Sequence, residues 1–293
     1  MAMATRTNWK CSGACVAGRS HESNRVGCQD AWSSVRRGSD AASILAACLC
    51  DGAGTAANSA DGAAFVSRSL AGWISENFER AIAVPDEAVY EAMMVVKDHL
   101  RQRGANLATH ACTVVAVAVG GDDDWLAWHL GDGGIIARFS GASRLLSAPA
   151  KGEFANITDF FSDSYSITKI RCYSPRLYPG LGSPDGFALF TDGLEPSIYT
   201  RSTVAVAPAV DKMLGWLESG SDAEVTEAVT WNLREVFRLK TGDDCGLVLL
   251  RKCEGGSDRP ETVPHTDHRT DGTPKGDTRC PREDSVEAKE AQQ

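Results

Sequence analysis

Apolar periodicity in this chain comes in blocks, and the order of the blocks limits the folds open to it. Strand patterns fall at 9–17, 32–36 and 44–50, followed by helical patterns at 60–77 and 86–103. Strand patterns then dominate at 112–119, 125–130, 135–139, 166–172 and 187–190. Two more helical patterns, at 205–217 and 222–239, precede a last strand at 245–250. A doubly wound parallel sheet needs strands and helices to alternate, and here they do not. Segregated blocks predict an α+β fold in layers: antiparallel sheets packed on one another, with helix pairs outside. Pro208 weakens the third helical pattern. Ser221 and Asp222 read as the N-cap region of the fourth. From about Lys252 the pattern stops, and the chain becomes polar and rich in Pro, Gly, Asp and Thr. Such a segment buries too little surface to offset its ordering entropy. The expected division is therefore a folded domain over 1–251 and a disordered tail over 252–293.

Composition narrows the function classes. A net charge of −9 argues against a general nucleic-acid binder and suits either solubility or the gathering of metal cations. The ten cysteines form no C-x-x-C pair, which argues against zinc, and most sit in apolar runs as small hydrophobes. The N-terminus has no apolar signal core, and no segment is apolar for long enough to cross a bilayer. A reducing cytoplasm, with neither membrane nor nucleic acid as partner, is the expectation.

The chemistry collects at the strand ends. The apolar run 44–50 climbs straight into Asp51 in "CLCDGAG", Asp132 follows a strand in "WHLGDGG", and Asp192 ends another in "ALFTDGL". Asp243 and Asp244 open the last strand in "TGDDCGLVLL", and Asp30 precedes a strand in "GCQDAW". Asp-Gly is a common hairpin signal, so Asp132 alone reads as the turn of a hairpin joining 125–130 to 135–139. Asp51 fits that reading poorly: its strand is nearly all apolar, and Gly52, Ala53 and Gly54 leave no bulk beside it. Converging carboxylates must share protons or a cation. Oxygen ligands without His or Cys select hard ions, Mg²⁺ or Mn²⁺. Two such ions about 3.5–4 Å apart acidify a water between them, which makes a phosphoester-hydrolysing centre. The Gly52 carbonyl would be an unobstructed further ligand. Arg25, five positions before Asp30, has the planar fork for phosphate, although an isolated arginine reads as a surface charge.

"RVGCQD", "CDGAG", "LGDGG", "FTDGL" and "DDCGLVLL" stand in the order and approximate spacing of the metal-dependent type 2C Ser/Thr protein phosphatases. The chain resembles that family from about residue 9 to residue 250. "GRSHESNRVGCQDAW" and "GEFANITDFF" are similar to a bacterial branch of it. The resemblance implies a four-layer α-β-β-α sandwich, two antiparallel sheets flanked by helix pairs, holding two or three Mn²⁺ or Mg²⁺ ions. By position it implies that Asp51 bridges two metals and that the Gly52 carbonyl ligates one. Asp192 and Asp243 complete a shell, with Asp30 beside it. Asp132 serves a third metal with Asp192 shared, and Arg25 binds phosphate. Three positions depart from the family: Gln29 where Glu is usual, Ala53 where many eukaryotic members have His, and Gly133–Gly134 where Ser-Arg is usual. The first removes a negative charge. The second leaves protonation of the leaving group to water or another group.

His21 is a secondary acid–base candidate, but a lone histidine before a strand reads first as a structural hydrogen-bonder. The segment 149–164, with Lys151, Glu153, Asn156 and Asp159 among Phe154, Phe160 and Phe161, reads as a flap over the substrate site or as a plain surface loop. The expected activity is hydrolysis of phosphoserine and phosphothreonine in proteins through a metal-bridging hydroxide. The partners are a phosphorylated protein substrate and, as a candidate, a cognate Ser/Thr kinase. Gln29 and the missing Ser-Arg motivate the alternative, a catalytically weak module of the same fold that binds phosphoproteins or regulates a kinase.

Overall fold

The computed structural model describes residues 7–38, 43–121, 123–150, 158–162 and 169–254. The chain opens with β1 (Thr7–Val16), a short α1 (Arg19–Ser23), β2 (Ala31–Arg37) and β3 (Ile44–Cys50). Next come α2 (Ser59–Glu76), α3 (Phe78–Ala83), α4 (Pro85–Gln102) and a 3-10 turn at Leu107–His110. The strand block is β4 (Val114–Val119), β5 (Trp125–Leu130), β6 (Gly134–Phe139), β7 (Ala142–Ser147), β8 (Arg171–Tyr173) and β9 (Gly186–Phe190). A 3-10 turn at Asp192–Leu194 leads to α5 (Glu195–Ile198) and a small hairpin of β10 (Tyr199–Thr200) and β11 (Ala205–Val206). α6 (Ala209–Ser219), α7 (Asp222–Asn232) and β12 (Cys245–Glu254) complete it.

Two five-stranded antiparallel sheets result, ordered β1-β12-β9-β6-β7 and β2-β3-β4-β5-β8. The nearly continuous apolar runs are explained by cover on both faces of each strand. Leu45, Ala47 and Leu49 of β3 point between the sheets, where they meet Phe187, Leu189, Val248 and Leu250 of the other sheet. The alternate residues Ala46, Cys48 and Cys50 face α2 and α4, packing with Val66, Leu70 and Met93. On the other side Cys245, Leu247 and Leu249 of β12 pack under Leu214, Leu217 and Val229 of α6 and α7. Three apolar interfaces therefore separate four layers, helices outside and sheets inside, as the block order predicted. Each fully buried Leu or Phe contributes about 1.5–3 kcal/mol to holding them together.

Local differences have local causes. The helix expected at 205–217 begins only at Ala209, because Pro208 sits at its N-cap and residues 205–206 are taken by β11. The helix expected over 222–239 starts as read, on a capping box in which Ser221 and Glu224 bond each other's backbone N–H. It loses α geometry at Asn232 and continues as a π turn, Leu233–Phe237, and a 3-10 turn, Arg238–Lys240. The strand expected at 166–172 is described only as the three residues of β8. β7, an edge strand with an alternating exposed and half-buried pattern, has too little apolar content to stand out by period. β12 runs to Glu254, opposite Thr7, so the expected boundary at 252 falls inside a paired strand. The remainder of the expected tail lies outside the described residues.

Candidate active site

The register gathers the acidic strand ends. β2 starts just after Asp30 and β3 stops just before Asp51, and their terminal residues Ala31 and Cys50 are paired, so the two aspartates are neighbours at one end of a sheet. In the facing sheet, β9 ends next to the start of β12, with Phe190 opposite Leu247. That pairing sets Asp192 beside Asp243 and Asp244. Asp132 does not lie in a hairpin turn. β5 pairs with β4 and β8, whereas β6 pairs with β7 and β9, so "LGDGG" carries the chain from one sheet to the other. The hairpin expected there is overturned because the two apolar strands each find partners in different sheets. Gly134 is required at this crossing: a Cβ would stand 2.2 Å from the Phe190 ring. A Cβ at Gly133 would likewise stand 2.7 Å from the Phe190 carbonyl oxygen.

Carboxylate oxygens of Asp51, Asp132 and Asp192 lie within 4.8 Å of one another. Asp30 is buried behind them, with Oδ2 accepting a hydrogen bond from Thr191 Oγ1 at 2.8 Å. Its Oδ1 is also buried and has no hydrogen-bond partner among the described residues. Burial pushes the Asp30 carboxyl well above the usual carboxylate range, and Asp244, Asp192 and Asp243 push it further, against the lowering effect of Thr191. Asp51 is raised in the same way by burial and then by Asp30, Asp192, Asp132 and Asp243. Without a cation such a group holds protons it would otherwise release at neutral pH. An all-oxygen donor set with an unsatisfied buried oxygen fits hard divalent ions, Mg²⁺ or Mn²⁺.

Backbone and hydroxyl contacts fix these carboxylates. Asp51 N–H donates to Thr113 Oγ1 at 3.1 Å, and the Asp51 carbonyl accepts the Thr113 N–H at 2.7 Å. Thr158 Oγ1 donates to Asp132 Oδ2 at 2.6 Å. Thr191 Oγ1, besides holding Asp30, accepts the Gly246 N–H at 2.8 Å. At Gly52 the need for glycine differs from the one expected. A Cβ there would stand 2.8 Å from Ser59 at the start of α2, so helix packing already excludes a side chain.

The adjacent aspartates of "GDD" divide their work. Asp243 is exposed, accepts the Asp244 N–H at 2.9 Å and adds to the negative field at Asp30 and Asp51, but is not among the three carboxylates that lie within 4.8 Å of one another. Asp244 is buried: Oδ1 accepts the Gly18 N–H at 2.7 Å and Oδ2 the Gln29 N–H at 2.6 Å. His21 Nδ1 also reaches Asp244 Oδ1 at 2.8 Å, so His21 is the structural hydrogen-bonder of the simpler reading. Arg25 lies between α1 and β2, on the stretch that leads to Asp30. It sits exposed in the turn after α1, at a left-handed φ of 57°, and forms no ion pair among the described residues.

Of the segment 149–164, the described part behaves as a strap and not as a loose loop. Phe161 is fully buried and its N–H donates to the Cys112 carbonyl at 2.8 Å, while Phe160 packs on Ala53, Ala56 and Ala111. Lys151, Glu153, Phe154 and Asn156 lie outside the described residues. Thr113, Thr158, Thr191 and Asp244 were not singled out for these roles from sequence. Thr191 and Asp244 at least stood inside quoted motifs, but a threonine hydroxyl has no periodic or compositional signal.

A C-x₅-R spacing occurs from Cys245 to Arg251 but makes no cysteine-phosphatase loop. Both residues lie on β12, where six residues of extended chain span about 20 Å. Burial pushes the Cys245 thiol up to about 12, and Arg251 is tied to Glu218 and Asp185.

A family model described as Protein phosphatase 2C matches residues 17–234. Serine/threonine-protein phosphatase 3 of Escherichia coli (strain K12) is 24% identical over 194 residues, 64% of this chain and 74% of that protein. Among solved structures, the S. agalactiae serine/threonine phosphatase aligns with a TM-score of 0.55 at 14% identity, covering 83% of this chain and 99% of its own. Serine/threonine phosphatase Stp1 from Staphylococcus aureus aligns with a TM-score of 0.53 at 13% identity, covering 86% and 98%. At such identities the structural likeness establishes the fold alone. Because the family match takes in well over half of the chain and begins and ends within the two-sheet fold, the chain belongs to the protein phosphatase 2C family of serine/threonine phosphatases.

Proposed function

We propose that this phosphatase is metal-dependent and removes phosphate from phosphoserine and phosphothreonine in proteins by direct attack of water, with no phosphoenzyme. The observation that carries the reading is the convergence of Asp51, Asp132 and Asp192 from both sheets, with Asp30 buried behind them. Asp51, Asp192, Asp243 and the Gly52 carbonyl would hold the principal pair of Mg²⁺ or Mn²⁺ ions, with Asp30 beside them. Asp132 and Asp192 would hold a third. When bound, such ions neutralise the phosphoryl oxygens and acidify a water.

The chain's own residues do the rest. Thr113 and Thr191 hold Asp51 and Asp30 in place, and the Phe161 strap excludes bulk water from one side. Arg25, on its exposed turn, is available to clamp the phosphoryl oxygens of a docked substrate bidentately. Ala53 offers no proton, so protonation of the departing seryl or threonyl oxygen falls to water or another group. A reducing cytoplasm is the proposed workplace. A phosphorylated protein is the substrate, and the kinase that made the phosphoester is the natural regulatory partner.

The test is aryl phosphate and phosphothreonine-peptide hydrolysis after chelation. Added Mn²⁺ or Mg²⁺ restores turnover in the wild type, and Asp51→Asn or Asp192→Asn abolishes it. Full activity in excess chelator rejects the mechanism. Phosphopeptide binding that survives Asp192→Asn, with negligible wild-type turnover in Mn²⁺, would instead mark a binding module.

A further inference from the structure

A cavity of about 450 Å³ lies between α2, the C-terminal turn of α4 and the 3-10 turn Leu107–His110, and shares no residue with the carboxylate cluster. Its lining combines Arg68, Arg103 and His110 with one acid, Asp61, and with apolar surface from Phe65 and Leu100. On a chain of net charge −9 this is a local excess of positive charge. Arg80, Arg101, Arg138, Arg201, Arg238 and Arg251 each reach a carboxylate. Among the described residues Arg68 and Arg103 reach none.

The two guanidiniums are suited to a ligand. Arg103 stacks over the Phe65 ring, 5.0 Å from its centroid. Stacking uses the guanidinium face and fixes its plane, so the N–H edge remains available to a planar or tetrahedral oxyanion. His110 Nδ1 lies 2.8 Å from the Asn106 carbonyl, to which it donates, and Nε2 is the ring nitrogen left over. The volume falls in the range of small-molecule sites. Two oxyanion donors beside apolar surface select a compact organic anion over a bare ion.

The cavity wall is also continuous with the Asp51 loop. The His110 carbonyl presses on α2 so closely that a Cβ at Gly62 would come within 2.2 Å of it. The neighbouring residues then hydrogen-bond that loop in turn: Asn58 N–H donates to Thr109 O at 2.8 Å, Ala53 N–H to Ala111 O at 2.9 Å and Thr113 N–H to Asp51 O at 2.7 Å. A ligand that orders His110 therefore orders the segment that presents Asp51.

We infer that this cavity binds a small organic oxyanion with a compact apolar body, and that occupancy stiffens the loop 51–58. The experiment is calorimetric titration of the full chain, in chelator so that no divalent ion recruits anions to the carboxylates, with phenylphosphonate, benzoate and inorganic phosphate. Phenylphosphonate binds one per chain, more tightly than inorganic phosphate. The R68Q/R103Q double variant weakens it by at least about tenfold, as loss of charge-assisted hydrogen bonds requires. Arg25→Ala leaves it unchanged. Benzoate binding as tightly as phenylphosphonate upholds the site and assigns it to carboxylates. Affinity unchanged in R68Q/R103Q, affinity lost in Arg25→Ala, inorganic phosphate binding equally well, or no saturable binding overturns it. Hydrogen exchange reads the coupling: the Ala53 and Asn58 amides slow on saturation with phenylphosphonate in the wild type, and unchanged exchange there overturns the link to the loop.

Discussion

Thr191 shows how much one hydroxyl can carry. It donates to the raised, buried carboxyl of Asp30 and accepts the N–H of Gly246, joining β9 to β12 where both meet the cluster. Thr191→Val keeps the shape and removes both bonds, leaving a buried N–H and a carboxylate oxygen unsatisfied. The expected cost is about 1–3 kcal/mol, read as a lower urea midpoint with unchanged slope. The sequence makes such a residue visible only by adjacency: Thr191 was quoted because Asp192 follows it. The aspartates themselves were legible because the step from an apolar strand into an acid and a glycine, ordinary once, recurs several times along the chain. Arg25 was singled out by offset alone, and its exposed turn with a left-handed φ is a backbone feature that no spacing could have told.

At the level of elements, the strap at 158–162 separates positioning from stability. Thr158→Val removes the 2.6 Å bond to Asp132 without touching the buried Phe161 anchor. The concentration of Mn²⁺ needed for half-maximal turnover should rise about tenfold, as outer-shell partners of metal ligands usually require, while the melting temperature stays within error. An equal loss of stability would show the strap to be structural only. Strands and long helices were readable here because they are covered on one or both faces and so carry their period in the sequence. β7 and α1 were not, since an edge strand and a one-turn helix bury too little to leave a pattern.

For the molecule as a whole, two titrations distinguish the core from the site. His129 is fully buried on β5; burial, and then Arg171, which donates to Nδ1 at 2.9 Å, hold its pKa well below the ordinary 6.5. The unfolded chain therefore takes up a proton that the folded chain refuses. Stability from this group is complete above 6.5 and falls as pH drops below it, by about 1.4 kcal/mol per unit. The difference between wild type and His129→Gln in urea isolates that slope, and parallel pH profiles would refute it. The carboxylate cluster behaves oppositely in chelator, because its raised groups favour the folded state at low pH and lose that advantage as pH rises. Millimolar Mg²⁺ or Mn²⁺ should lift the melting temperature at pH 7, and Asp51→Asn should abolish the lift. Finally, β12 lies between β1 and β9 although it is the last of the described strands in chain order. A nascent chain thus holds its first strand idle until the final one is inserted as the keystone, and Asp243 arrives with it. On the proposed reading, a chain that still lacks this strand also lacks one of its metal ligands and turns over no phosphoester.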